Sequence, residues 1–146
     1  MLDFIGLFLL LSGFIIGLGA VTVIDLHGFL ARDSSYWTKA TIRTHKVTKP
    51  MIWIGIALAI LGGFIFYESK GLFGVPFYHL LIAIALIING CFLSFVVSPR
   101  LNEKEKKGND EEILEKSLQR KIMASFVVSF VGWWSALAIL VYYLII

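Results

Sequence analysis

Residues 24–50 read IDLHGFLARDSSYWTKATIRTHKVTKP. The stretch closes one apolar run, Phe4–Ile24, and ends where a second, Pro50–Tyr67, begins. Between the runs it gathers two of the three histidines, His27 and His45, an acid at the end of the first run, Asp25, five basic side chains and four threonines. A membrane span needs about 20 mostly apolar residues to cross a hydrocarbon core of roughly 30 Å. Two such runs joined by so polar a segment read as a helical hairpin of two spans. Outward from it, Val75–Val97 and Ile122–Ile146 are long and apolar enough for two more. The expected fold is all-α: four antiparallel transmembrane helices over about 4–26, 50–67, 75–97 and 122–146, forming one membrane domain across residues 1–146. Spans 2 and 4 are expected to carry helical extensions on the cytoplasmic side.

Composition agrees with this. Of 146 residues, 58% are hydrophobic and 16% charged, whereas a soluble domain averages roughly 45–50% and about 25%. Little remains outside the spans to make a soluble domain. The net charge of +3 does not imply nucleic-acid binding, because basic residues in a multi-pass chain flank spans and set orientation. Arg32, Lys39, Arg43, Lys46 and Lys49 lie between spans 1 and 2. Arg100, Lys104, Lys106, Lys107, Lys116, Arg120 and Lys121 lie between spans 3 and 4, leaving only Lys70 of the thirteen elsewhere. The positive-inside rule then makes segments 27–49 and 98–121 cytoplasmic and both termini external in a cell membrane. Phe4–Ile24 lacks a basic n-region and exceeds a typical h-region of about 7–15 residues, so it reads as a span rather than a signal peptide. Cys91, the single cysteine, excludes an internal disulfide and reads as a small buried residue in span 3.

Small residues mark the packing faces. Gly13 and Gly17, four apart in span 1, match Gly55, Ala59 and Gly62 or Gly63 in span 2, and Ser125, Ser129, Gly132 and Ala136 in span 4. Such stripes let backbones approach in lipid, where no hydrophobic force draws helices together. They are expected to pack within the bundle, with a homodimer face as the alternative. Asn89, near the middle of span 3, needs a hydrogen-bond partner such as Ser12, Ser129 or a backbone carbonyl, and reads as interhelical glue. Of Trp133 and Trp134, one is expected to fill the core and the other to face lipid, and His79 is expected to face the outer water.

Local signals complete the outline. Arg32–Ser35 reads as a turn, with Asp33 or a serine capping the next helix. Trp37 and Trp53 suit the membrane interface. Pro50 predicts a kink or break near Lys49. Residues 68–74 form a short turn, and Ser98-Pro99 ends span 3. Residues 101–109 read as a mobile linker, followed by a capping box of Asn109 and Glu112, an i,i+4 pair of Glu112 and Lys116, and an apolar edge of Leu114, Leu118 and Ile122.

The candidate site follows from Asp25, since a carboxylate at the end of an apolar span is costly unless paired or hydrated. Thr38, Thr41, His45 and Thr48 recur at steps of three and four and share a helix face. Folding the hairpin about Asp33 and Ser34 sets His27 opposite Ala40 or Thr41 and His45 opposite Val23. This brings Thr22 and Asp25 towards Thr41, His45 and Thr48, with Arg43, His27 and Asn89 as possible partners. Three readings compete for this polar seam. Asp25 pairs with Arg43, Lys46 or His45 and ties helix ends together. Alternatively, Thr22, Asp25, Thr41, His45 and Thr48 relay a proton or cation, for which His is suited by its titration near neutrality. In the third reading His27 and His45 ligate a metal or haem, which remains the weakest use of them.

In span count and in histidines near span ends the chain resembles four-helix membrane cytochromes of the b561 or copper-resistance type. That resemblance implies haem held by paired histidines at similar depth. Here His27 and His45 are offset by about four residues, roughly 6 Å along a helix. His79 belongs to the opposite end, and span 4 has no histidine. No nucleophile elbow, phosphate loop or HExxH motif is present, so the chain does not read as an enzyme. The functional expectation is a small transport-type or channel-like membrane protein working as a homo-oligomer. The alternatives are a non-catalytic subunit or assembly partner of a larger membrane complex, and a haem-binding redox protein; the cofactor is left open.

Overall fold

The computed structural model describes residues 1–146 and is all-helical, with no strands. Its elements are α1 (Leu2–Leu30), α2 (Ser35–Tyr67), α3 (Val75–Phe92), a π-helical turn (Leu93–Val97), α4 (Ser98–Lys106) and α5 (Lys116–Ile145). The π turn joins α3 to α4, so four stretches are long and apolar enough to cross a membrane: Leu2–Leu30, Ser35–Tyr67, Val75–Lys106 and Lys116–Ile145.

The pair α1–α2 is built on glycine. Gly6 lies against the backbone of Phe66, Gly62 against that of Leu10, and Gly13 against Ala59 and Gly55. A methyl group on Gly55 would sit 2.5 Å from the Gly17 Cα, so no side chain fits between these backbones. Gly17 also faces the Trp133 indole of α5, which is 2% exposed and meets Phe14 edge-on at 6.0 Å. Around it pack Leu10, Val21, Ile56, Phe66, Leu86, Ala136 and Leu140. Trp134, one residue on, is half-exposed, as expected of the second tryptophan. Of α3, only Pro76, Leu86 and Asn89 are buried. Asn89 bonds α5 through three contacts: its Nδ2 donates to the Ser125 carbonyl and to Ser129 Oγ, and its Oδ1 accepts from Ser125 Oγ. Ser12 takes no part, its hydroxyl donating to the Phe8 carbonyl.

Several local expectations are corrected. The hairpin register is about one helical turn away from equal steps around Asp33 and Ser34: His27 meets Thr44, not Ala40 or Thr41. The Ala31–Ser34 turn carries the first turn of α2 over the end of α1, where Thr38 Oγ1 donates to the Ala31 carbonyl. Ser34 is the N-cap, accepting from the Trp37 amide. Helix α2 runs unbroken through Pro50. Proline removes one ladder donor, but Ile42, His45 and Thr48 before it and Gly55 and Ile56 after it are all buried, so packing holds the helix on both sides.

Ser98-Pro99 does not end the third helix, and residues 98–106 are helical rather than a linker. Leu101 draws that segment inward, into a second core with Ile42, Val97, Leu114 and Leu118. The expected apolar edge at Leu114, Leu118 and Ile122 therefore packs on α2 and α4. The capping box at Asn109 does not form. Asn109 closes a turn through its carbonyl to the Glu112 amide, and α5 starts only at Lys116. Glu112 pairs with Lys104 at 3.2 Å instead of Lys116. Burial of three leucines outweighs the modest free energy of a cap.

Candidate functional site

Four threonines lead into the site along α2, and their hydroxyls are engaged. Thr38 donates to the Ala31 and Ser34 carbonyls, Thr41 to Trp37 and Thr48 to Thr44, while Thr44 contacts His27 Nδ1 at 3.2 Å. Bonding back to the preceding turn lets Ser and Thr enter a buried helix face without orphaned donors. His45 lies on the same stripe and has no such recourse. It is 9% exposed, and its Nε2 is buried with no hydrogen-bond partner. Asp25 Oδ2, on α1, is the other buried side-chain atom in this condition. Buried polar groups without partners are rare enough that each calls for an explanation.

Both groups line one cavity of about 60 Å³ where α1, α2, the π turn and α5 converge. Thr41, Lys49, Trp53, Ser94 and Ser125 share its wall. Gly28 opens the corner between α1 and α5, since a methyl group there would lie 3.2 Å from Ile122. Trp53 lies over Gly90 and donates through Nε1 to Ser94 Oγ at 3.2 Å. It is half-buried and turned towards the π turn and α3. Lys49 Nζ donates to Ser98 Oγ at 3.4 Å. Lys49 and Ser94 also border a second, more open recess of about 420 Å³, formed with Ser98, Pro99, Asn102, Glu103 and Lys106. The recess on α4 and the cavity of Asp25 and His45 thus share Lys49 and Ser94 as a common wall. Beside that recess Lys107 hydrogen-bonds Glu103 at 2.7 Å and holds its carboxyl below the usual carboxylate range.

Of the residues singled out from the sequence, Asp25, Thr41 and His45 meet at this cavity. Thr22 and Thr48 do not line it: Thr22 is exposed with its hydroxyl on the Leu18 carbonyl, and Thr48 is buried against its own helix. Asp25 makes no ion pair. Arg43 is exposed and makes none either, and Lys46 pairs with Glu105 at 2.5 Å, so the reading in which Asp25 ties helix ends together by charge finds no partner. Asn89 is spent on Ser125 and Ser129. The packing residues Gly13, Gly17, Gly55, Ala59, Ser125, Ser129 and Gly132 lie at helix contacts, Gly132 against Leu86.

His27 contacts Thr44 and the Trp37 ring outside this cavity, so it does not join His45. No three His, Cys, Asp or Glu side chains converge to hold a metal ion. The three histidines face three different surroundings, an arrangement that does not fit a bis-histidine haem.

Sequence reasoning missed the other histidine's role. His79 does not face outer water. Its Nδ1 is 2.9 Å from Tyr67 Oη and its Nε2 2.8 Å from the Ala136 carbonyl oxygen. The signal was the short 68–74 turn, because equal steps about Phe73 bring Tyr67 to His79. Also missed were Lys49, Ser94 and Ser98, which the π turn places together and which no helical spacing announces. Such turns occur often at functional sites. No protein-family model, characterised protein or solved structure matches this chain. Its function has to be argued from its own residues.

Proposed function

We propose that this chain is a multi-pass protein of the cell membrane, of transport type, in which Asp25 and His45 form a proton-loading site open to the cytoplasm. In this reading the four apolar helices insert antiparallel, with both termini external and segments 27–49 and 98–121 cytoplasmic, which the clustering of basic residues supports. The observation that carries it is the pair of buried atoms without a protein partner, Asp25 Oδ2 and His45 Nε2, on one small cavity.

Size favours a proton over a metal cation. The cavity of about 60 Å³ suits a few water molecules, not an ion with its hydration shell. A carboxyl and an imidazole joined by water can exchange a proton with neither charge leaving the site. Thr41 and Ser94 supply hydroxyls to orient that water.

Beyond this cavity the bundle interior is lined by apolar side chains, Leu10, Phe14 and Trp133 among them, so one chain offers no polar path across in this conformation. Completion of a path calls for a second copy or a membrane-protein partner besides the lipid bilayer. We place that contact on α3, whose apolar surface is the least enclosed of the four helices.

The test is proton flux into proteoliposomes holding a pH-sensitive dye, under an imposed potential. Wild-type protein is expected to exceed empty vesicles, and Asp25→Asn to reduce the excess about tenfold or more while retaining its helical circular dichroism. Equal flux in the two proteins, or no flux above empty vesicles, sinks the reading.

A further inference from the structure

The larger internal cavity lies nearer the 68–74 turn and holds about 200 Å³. Leu10, Phe14, Ile56, Leu86 and Trp133 wall it, and no charged side chain does. Phe64 and Leu72 also line it while remaining 69% and 57% exposed, so the cavity opens sideways between α2 and α3. Its polar wall is the pair Tyr67–His79.

Hydrogen-bond bookkeeping shows what that wall can offer. The Ala136 carbonyl can only accept, so His79 Nε2 carries the proton and donates. In a neutral imidazole Nδ1 then accepts, and the Tyr67 hydroxyl donates to it. Both donors of this pair are used. What remains is acceptor capacity on the Tyr67 oxygen. A ligand that engages this pair therefore has to bring its own donor, since a ketone or quinone carbonyl finds none on Tyr67 or His79 to receive.

Size narrows the class further. A cavity of about 150 Å³ lined by apolar side chains takes up benzene. About 200 Å³ suits one ring with a short chain, or the ring end of a longer molecule whose tail leaves past Phe64 and Leu72. We propose that this cavity binds a membrane-dissolved, single-ring phenol or hydroquinone, its hydroxyl donating to Tyr67 Oη and its ring lying near Trp133. The site does not depend on the proton reading of Asp25 and His45.

The probes are 4-butylphenol and butylbenzene, added to the protein in phosphatidylcholine nanodiscs. Binding is read from the Trp133 indole N–H resonance, assigned by elimination with Trp37→Phe, Trp53→Phe and Trp134→Phe. The phenol is expected to shift that resonance saturably and to bind about two- to tenfold tighter than butylbenzene, the range for one neutral hydrogen bond. Tyr67→Phe is expected to erase the preference. Gly63 lines the cavity and a methyl group on it meets nothing within 4 Å, so Gly63→Leu should fill the space and abolish saturable binding with the bundle intact. Equal affinity for the two probes, a preference that survives Tyr67→Phe, or a shift unchanged by Gly63→Leu overturns the proposal.

Discussion

His45 and His79 are both turned into the bundle, on α2 and α3, and they differ in what their nitrogens meet. His79 spends one nitrogen on Tyr67 and the other on a backbone carbonyl, beside a larger cavity with a mostly apolar wall. His45 leaves Nε2 without a protein partner, beside a small cavity that it shares with an equally unpartnered acid. The chain has ready means of closing polar groups, as the threonines on α2 show by donating to backbone carbonyls. Leaving a buried polar atom open costs about 1–3 kcal/mol. The contrast separates a polar group used as structure from one held ready for chemistry.

Both regions hang on the α1–α2 seam, so the largest effects come from breaking it. Gly62→Leu drives a side chain into the backbone of Leu10 and should cost about 3 kcal/mol or more, seen as loss of monodisperse protein in size-exclusion chromatography. Gly63→Leu, one residue on, should leave the protein monodisperse. If the two behave alike, the glycines are not sorted by face as described.

Next come the histidines themselves. His79→Leu removes two hydrogen bonds and strands the Tyr67 hydroxyl, and should destabilise by about 1–3 kcal/mol. His45→Leu removes a group that has no partner on Nε2, and should be neutral or stabilising by about 1 kcal/mol. Thermal midpoints in one detergent measure both. Destabilisation of equal size in the two variants would erase the distinction between the regions.

How far the sequence foretold this arrangement depends on the range of the signal. The four apolar runs were legible because hydropathy summed over about 20 residues outweighs any single side chain. The α2 stripe was legible from its spacing, and Asp25 from its cost at the end of a run. The register of the hairpin was not, because a turn of a few residues can displace one helix along another by a full turn, as at His27 and Thr44. Nor was the engagement of Thr22 and Thr48, since whether a hydroxyl bonds its own helix or a neighbour depends on what lies within 3 Å. The α4 segment reads as a linker in sequence because its charges dominate its composition, while the single buried Leu101 decides its packing.

Asn89 stands between the two regions and ties α3 to α5. Asn89→Ala should cost about 1 kcal/mol, within the range of interhelical hydrogen bonds in membranes. It should lower the thermal midpoint while leaving the phenol preference at Tyr67 unchanged. A loss of that preference would mean that α3 moves as one body and the regions are coupled.

The smallest effect concerns the mouth of the polar region. Lys39 reaches Glu111 at 2.6 Å and Asp110 at 3.8 Å, and Lys46 reaches Glu105, so charges join α2 to α4 and to the 107–115 turn. The Glu111 side chain is 71% exposed, and such pairs contribute about 0.2–1 kcal/mol in double-mutant cycles. A cycle of Lys39→Ala and Glu111→Ala should give a coupling in that range that fades in about 1 M salt, where screening acts over roughly 3 Å. The buried leucines at 101, 114 and 118 would then hold this cap, with the charges only setting its register. A coupling above about 2 kcal/mol that survives salt exceeds what an exposed pair supplies. It would make the ion pair a latch over the end of the bundle that holds Asp25 and His45, and the polar region would be closed by charge where the apolar one is open to its surroundings.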